Sequence, residues 1–336
     1  MRILVFEYIT GGGFNNQELP TSLASEGLLM LQALLDDLRE LMICRREQPI
    51  SVWVMMDERL KDRINPQGFE QCIITQAQNT DDEFVRLMLQ CDAVWPIAPE
   101  SEGILQDLCA TVEATGRRLL TSPARAVQIA GNKLNTYQLL MQHGIATVPT
   151  QRYSDFEWDG CLQWIVKPID GVGCGDSYIV SEPEDFKLMS SRTGTYIIQP
   201  HLQGKKTSLS CIFKAGKGWL LCVNSQHFEI INQQYRLVNI IVNYDIKSEI
   251  YYSLLDKIAE AIPELWGYVG IDLIETTEQI LVLEINPRLT TSFAGIKSAL
   301  GINVADNILR LLKDEPAIQF VCNQPITIAV KYDEAN

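Results

Sequence analysis

Residues 2–8, Arg-Ile-Leu-Val-Phe-Glu-Tyr, are an almost unbroken apolar run that leads into Thr10-Gly11-Gly12-Gly13. A short run without alternation predicts a strand buried on both faces. Leu23, Gly27, Met30, Leu31, Leu34 and Leu38 then recur at helical spacing and predict a helix over 22–41. Residues 51–56, 72–75 and 93–98 predict further strands, separated by helical stretches near 80–90 and 101–115. Strands alternating with helices predict a parallel, doubly wound sheet. Ligands of such sheets sit at the carboxyl ends of strands. Those ends carry Glu7 with the glycines, Asp57, and the stretch 98–103 with Glu100 and Glu102. The glycines are no dinucleotide fingerprint, because a Gly-x-Gly-x-x-Gly begun at Gly11 needs glycine where Asn16 stands. They read either as a flexible strand-to-helix turn or as a substrate-binding loop.

From Ser122 the pattern changes. Ser122-Pro123 predicts a cap with proline at the first helical position. A second helix is predicted over 132–142, stopped by Gly144. Lys133 falls in its first turn, where a cation opposes the helix dipole and favours an external anion only weakly. Residues 163–168 predict a strand that delivers Lys167 to the loop 170–177, Asp-Gly-Val-Gly-Cys-Gly-Asp-Ser. Gly171, Gly173 and Gly175 let the backbone fold closely, so its N–H groups can converge on a phosphate. A plain hairpin turn has the same signature, and the Walker pattern is absent. Residues 196–202 predict a strand that ends at Pro200, 208–213 and 219–224 a hairpin, 248–262 a helix, and 326–331 an edge strand.

The stretch 268–292 carries the most chemistry. Two apolar, β-branched runs flank a polar turn. A turn centred on Glu278 sets Ile274 opposite Val282 and Asp272 opposite Glu284. Alternation then puts Asp272, Glu284 and Asn286 on one face. Opposed residues have Cβ atoms roughly 4.5–5.5 Å apart, so two carboxylates there repel and call for a cation. Hard oxygen donors without His or Cys suit Mg²⁺, for which Mn²⁺ can substitute. Arg288, just past the strand, could fork onto phosphate. A surface hairpin with a wet acidic face is the plain alternative.

Composition narrows the classes. A chain of 336 residues exceeds a usual single domain, so two or three domains are expected. Hydrophobic residues at 46% and charged residues at 21% fit a globular protein. A net charge of -14 argues against a nucleic-acid partner, while small anions stay open to local lysines and arginines. The nine cysteines include no Cys-x-x-Cys, so neither zinc nor redox chemistry is indicated, and they suit buried thiols in a reducing cytoplasm. No window approaches the ~20 apolar residues of a membrane span, and the first run is too short for a secretory signal. The expected location is cytoplasmic. The histidines at 143, 201 and 227 form no ligand spacing, and no Gly-x-Ser-x-Gly elbow is present.

Taken in order, Lys133, Lys167 with its glycine-rich loop, the strand exit 199–202, Asp272, Glu284-x-Asn286 and Arg288 resemble the ATP-grasp superfamily, over residues 120–300. The resemblance implies an ATP-grasp fold, α/β and α+β. It implies an N-terminal pre-ATP-grasp domain over 1–120, a central lobe with a glycine-rich lid over 121–204, and a C-terminal lobe with the metal site over 205–336. Lys133, Lys167, Gly171, Gly173 and Gly175 would then meet the ATP phosphates, and Gln199, Pro200, His201 and Leu202 the adenine. Asp272, Glu284 and Asn286 would hold magnesium, and Arg288 with Lys167 would serve the transferred phosphoryl group or an acyl phosphate. One departure stands out. Many members carry Glu at the position of Gln199 and another near Lys206, so a ribose contact is not implied here.

Three N-terminal stretches narrow the resemblance: Phe6-Glu7-Tyr8-Ile9-Thr10-Gly11-Gly12, Trp95-Pro96-Ile97-Ala98-Pro99-Glu100 and Leu120-Thr121-Ser122-Pro123. They are similar to those of the tyramine–glutamate ligase family of methanofuran biosynthesis. That likeness implies joining the γ-carboxylate of L-glutamate to tyramine through an acyl phosphate, with ATP cleaved to ADP and phosphate. The partners would be an amino acid and an amine, and a homo-oligomer is open. Glu7, Gly11, Gly12, Thr290 and Thr291 would be substrate contacts. Glu100 or Glu102 could replace Glu7 in holding the ammonium, and Tyr8, Phe14 or Trp95 could meet the phenol. Another ATP-grasp amino-acid or peptide ligase, an ATP-grasp phosphotransferase and a non-catalytic nucleotide-binding module are the other readings.

Overall fold

Five parallel strands open the chain: β1 (Arg2–Glu7), β2 (Ser51–Asp57), β3 (Glu70–Ile74), β4 (Ala93–Ile97) and β5 (Arg118–Leu119). In this computed structural model they lie in the order β3-β2-β1-β4-β5, with helices α1 (Thr21–Cys44), α2 (Thr80–Met88) and α3 (Ile104–Ala114) between them. The structure describes all residues except 46–48, 159–162, 174, 190–194, 246–248 and 331–336, with 187 and 188 described by backbone only. The order reverses between β1 and β4, so the expected doubly wound sheet is present. Ile3, Leu4, Val5 and Phe6 are all fully buried, as a central strand covered on both faces requires. Met30, Leu31, Leu34, Leu35 and Leu38 form the buried stripe of α1.

Helices α4 (Ala124–Ala130) and α5 (Lys133–Gln142) follow. Asn132 caps α5 by accepting from the Asn135 N–H at 3.0 Å, and Gly144 leaves the helix at φ +64°. The expected Ser122 cap is displaced. Pro123 occupies the cap position of α4, while Ser122 Oγ donates to Trp266 O at 2.9 Å and accepts from Trp266 N at 3.2 Å. A tertiary bond has taken the hydroxyl that local sequence assigned to the helix.

Strands β6 (Gln151–Arg152), β7 (Trp164–Pro168), β8 (Tyr178–Val180) and β9 (Tyr196–Pro200) form an antiparallel sheet in the order β6-β9-β7-β8, with α6 (Pro183–Met189) between β8 and β9. A third sheet is antiparallel in the order β14-β13-β10-β11-β12-β15. Its strands are β10 (Lys205–Lys214), β11 (Lys217–Ile231), β12 (Gln234–Asp245), β13 (Gly267–Glu275), β14 (Ile280–Asn286) and β15 (Ile326–Ala329). Helices α7 (Glu249–Ala261), α8 (Phe293–Leu300) and α9 (Val304–Arg310) complete the described chain. The expected ends of α7 at 248 and of β15 at 331 lie outside the described residues.

Strand β12 and the extension of β11 to Ile231 were not expected from the sequence. The β13–β14 register needs a second correction. Asp272 faces Glu284 as expected, but a β-bulge follows, so Leu273 faces Val282 and Ile274 faces Leu281. One buried cluster joins α1 and the first sheet to Leu289, Phe293, Ile296 and Ile308, so the two ends of the chain share a core.

Candidate active site

The metal-type face is built by β13 and β14. Asp272 Oδ2 accepts from Asn286 Nδ2 at 3.0 Å, which brings all three expected ligands together. Asp272 Oδ1 accepts from Gln226 Nε2 of β11 at 2.9 Å. Glu284 takes the cations instead: Lys133 Nζ lies 3.3 Å and Lys167 Nζ 3.8 Å from its Oε2. The two carboxyls therefore titrate apart. Burial and then the charge of Glu284 push Asp272 upward. Burial acts the same way on Glu284, but Lys133 and Lys167 overcome it and hold that carboxyl well down. Among the described residues no group of three or more His, Cys, Asp or Glu could hold a metal; the face carries two carboxylates and the Asn286 amide. Two like charges with hard oxygen donors fit a divalent cation that completes its shell with phosphate and water.

Asp272, Glu284, Asn286, Gln226 and Lys167 line a cavity of about 180 Å³ between the two antiparallel sheets, and Lys133 reaches Glu284 from outside its lining. Ile165, Phe228, Leu237, Ile240 and Leu283 give it an apolar wall suited to a flat ring; Lys167, Lys206, Asp272, Glu284, Asn286 and Arg288 give it charge. Gln199 lines it too, with its amide donating to Thr150 Oγ1 at 2.7 Å. Pro200, His201 and Leu202 are not among its lining residues. His201 reaches it only through Tyr235, whose hydroxyl lies 2.6 Å from His201 Nε2. Lys206 faces inward, with Nζ 4.5 Å from the centre of the Tyr235 ring. A larger open groove of about 860 Å³ between α1 and α9 is lined by Arg45, Asp306 and Arg310, which pair with one another, and it holds none of this chemistry.

The glycine-rich loop is fastened at several points. Lys133 Nζ donates to Gly171 O at 2.5 Å, and the Glu102 N–H donates to Asp170 Oδ2 at 2.8 Å. Gly173 lines the cavity; Gly171 and Gly175 do not, and Cys174 lies outside the described residues.

Arg288 marks the far end. Its Nη2 pairs with Glu100 Oε2 at 2.9 Å, while Nε and Glu100 Oε1 have no hydrogen-bond partner. Thr291 donates to Glu26 Oε2 at 2.6 Å, and Thr290 shares a hydroxyl network with Tyr268 and Ser292. Glu26 and Gln226 were missed by sequence reasoning. Glu26 sits three residues after Leu23 and four before Met30, inside the apolar stripe of α1, which was the available signal. Gln226 lies in a strand segment that was itself not foreseen.

The N-terminal residues divide. Glu7 is 2% exposed, and burial pushes its carboxyl up to about 7. Gly11 and Gly12 shape the turn. A Cβ on Gly11 would lie 2.6 Å from Glu7 O, and Gly12 has φ +106° against Ile74. Asp57 is bound to Arg59 at 2.7 Å, a structural pair. Trp95 is 2% exposed in the core and lines neither the cavity of Asp272 nor that of Glu7; Tyr8 and Phe14 pack edge-on against each other.

This arrangement of sheets, lysines and paired carboxylates defines a class. Residues 130–292 match the ATP-grasp domain family and residues 50–127 the pre ATP-grasp 3 domain, so the chain carries an ATP-grasp domain behind a pre-ATP-grasp domain. It is 28% identical over 301 residues to the tyramine–L-glutamate ligase of Methanocaldococcus jannaschii, covering 88% of this chain and 85% of that one. With the ligase of the same name from Methanocaldococcus fervens it shares 28% identity over 303 residues, 88% of this chain and 89% of that one. A solved structure from Archaeoglobus fulgidus, assigned to the ATP-grasp superfamily, superposes with a TM-score of 0.70 at 23% identity, over 98% of this chain and 92% of that one.

Proposed function

We propose that this chain is an ATP-dependent carboxylate–amine ligase that joins the γ-carboxylate of L-glutamate to tyramine, releasing ADP and phosphate, in the synthesis of a methanofuran-type cofactor. The observation that carries the reading is the Asp272–Glu284 pair, met at Glu284 by Lys133 and Lys167 and lining one cavity with Lys167 and Arg288. Likeness to two tyramine–L-glutamate ligases supports the choice of substrates. On this reading the domains run 1–120, 121–204 and 205–336.

A carboxylate is inert to amines until phosphorylated, so two anions must be brought together. Asp272, Glu284 and Asn286 would hold a divalent cation, which supplies charge neutralisation between phosphates. Lys133 and Lys167 leave Glu284 for the phosphates and gather them under Gly171 and Gly173. Arg288, at the junction with the first sheet, holds the oxygen atoms of the carboxylate as it gains its phosphoryl group. The apolar wall of Ile165 and Leu283 receives the base, with Gln199 at its edge. Positioning of the amine against the acyl group contributes much of the remaining acceleration.

The test is phosphate release from ATP with L-glutamate and tyramine, together and singly, with mass spectrometry for γ-glutamyltyramine. Release only with the pair, and the amide product, is the expected result. Release with a different acid and amine, but not with this pair, keeps the ligase class and rejects the substrates. ADP formed with a phosphorylated product and no free phosphate points to a phosphotransferase.

A further inference from the structure

A second chamber lies on the other side of Arg288, and neither Lys133 nor Lys167 lines it. It is a cavity of about 60 Å³ at the carboxyl ends of β1 and β4, where the sheet order reverses. Such a volume admits a group of a few heavy atoms. Ile9, Leu23, Met30, Ile97 and Pro99 make its walls apolar, and Glu7 and Glu26 supply carboxylates.

Glu7 is held for a purpose its own fold does not use up. The Thr10 N–H and hydroxyl donate to Oε2 at 2.7 and 2.6 Å, the Ile9 N–H also lies against the carboxyl, and no described side chain bonds Oε1. Gly27 makes room for this carboxylate, since a Cβ there would lie 2.6 Å from Oε2. Glu26 accepts from Thr291 on one oxygen only. Among the described lining residues Arg288 is the sole cation, and Glu100 already pairs with it. Three carboxylates thus share one guanidinium beside apolar walls, an arrangement short of positive charge. Burial accordingly pushes the Glu7 and Glu26 carboxyls up. Glu26, Gly173, Arg288 and Thr291 line both chambers, so a group held in the second faces the activated carboxylate in the first.

We propose that Glu7 and Glu26 form the subsite for the ammonium group of a primary amine on an apolar body. This rests on the ligase reading and assigns its nucleophile a place. The three N–H donors of an ammonium meet the carboxylate oxygens of Glu7 and Glu26, and the apolar walls take the adjoining methylenes.

Calorimetric titration of tyramine into the full chain with Mg·ADP tests the assignment, using the wild type, Glu7→Gln and Glu26→Gln. Each substitution is expected to weaken tyramine at least tenfold. L-glutamate should bind all three alike, and 4-ethylphenol, which lacks the ammonium, should show no dependence on either carboxylate. Thermal melting with Mg·ADP verifies folding; if Glu26→Gln does not fold, Glu26→Asp, which keeps the charge on a shorter arm, is expected to weaken tyramine to a smaller degree. Unchanged tyramine affinity in the variants overturns the proposal. So does loss of L-glutamate in its place, or a wild type that binds no tyramine. Failure of the ligase reading looks different: no acid–amine pair releases phosphate, although the wild type binds the amine.

Discussion

Asp272 stands directly opposite Glu284 across β13 and β14, and the register slips by one residue immediately beyond them. The bulge leaves the two carboxylates as the last regular pair on that face. Their surroundings then separate them, amides on Asp272 and lysines on Glu284. Burial and the neighbouring Glu284 raise Asp272, while Lys133 and Lys167 lower Glu284.

Glu284→Gln keeps volume and removes its charge. ATP turnover with saturating magnesium is expected to fall by roughly 10²-fold or more, with the far-ultraviolet circular dichroism unchanged. Turnover near the wild-type rate would remove Glu284 from the metal face.

Lys133 connects Gly171 O with Glu284. Lys133→Met should raise the KM for Mg·ATP about tenfold, with a smaller change in kcat, because one charge on bound phosphate is lost. Initial rates across a nucleotide series measure this. A variant with unaltered KM would confine Lys133 to tethering the loop.

Gly27→Ala adds a Cβ 2.6 Å from Glu7 Oε2 inside a helix. Helix propensity favours alanine, but overpacking against a buried carboxylate dominates, and a loss of about 1–3 kcal/mol in unfolding free energy is expected. Urea denaturation of the single variants and of Gly27→Ala with Glu7→Ala gives the coupling. The double variant should lose less than the sum of the two.

Glu7 gives a pH signature. Its carboxyl titrates at about 7 when folded against 4.5 ordinarily, so between those values the native state binds more protons than the unfolded chain. Stability from this group is therefore highest below pH 4.5 and is lost as pH rises to 7. Glu7→Gln abolishes that slope, and relative to wild type it should gain stability toward pH 8, by roughly 3 kcal/mol at most. Melting curves from pH 5 to 8 for both proteins test the sign; parallel curves would contradict it.

How much of this was legible depends on the element. The first sheet could be read because a strand covered on both faces must be a continuous apolar run, as Ile3 to Phe6 is. The face of Asp272, Glu284 and Asn286 could be read because a short turn near Glu278 fixes the register of its hairpin. The bulge after Asp272 left no local signal, since Leu273 and Ile274 are both apolar and either could face Val282. Strand β12 escaped notice because its flank 234–237, Gln-Tyr-Arg-Leu, is half-buried and mixed in polarity. Glu26 escaped for a related reason: a lone acid in a helix is read as solvent-facing, and only packing against the turn at Thr291 reverses that. Ser122 shows the same priority of tertiary over local bonding.

The pair of Arg288 with Glu100 spans 188 residues and that of Thr291 with Glu26 spans 265. Order of synthesis therefore matters. A nascent chain that has displayed its first sheet, the glycine-rich loop and both lysines still has an acidic chamber with no guanidinium, and α1 still has its apolar stripe uncovered by α8 and α9. A fragment ending before residue 288 thus keeps both lysines and the glycine-rich loop but lacks the guanidinium that pairs with Glu100. The charge of this chamber is completed only when the end of the chain has returned to the first helix.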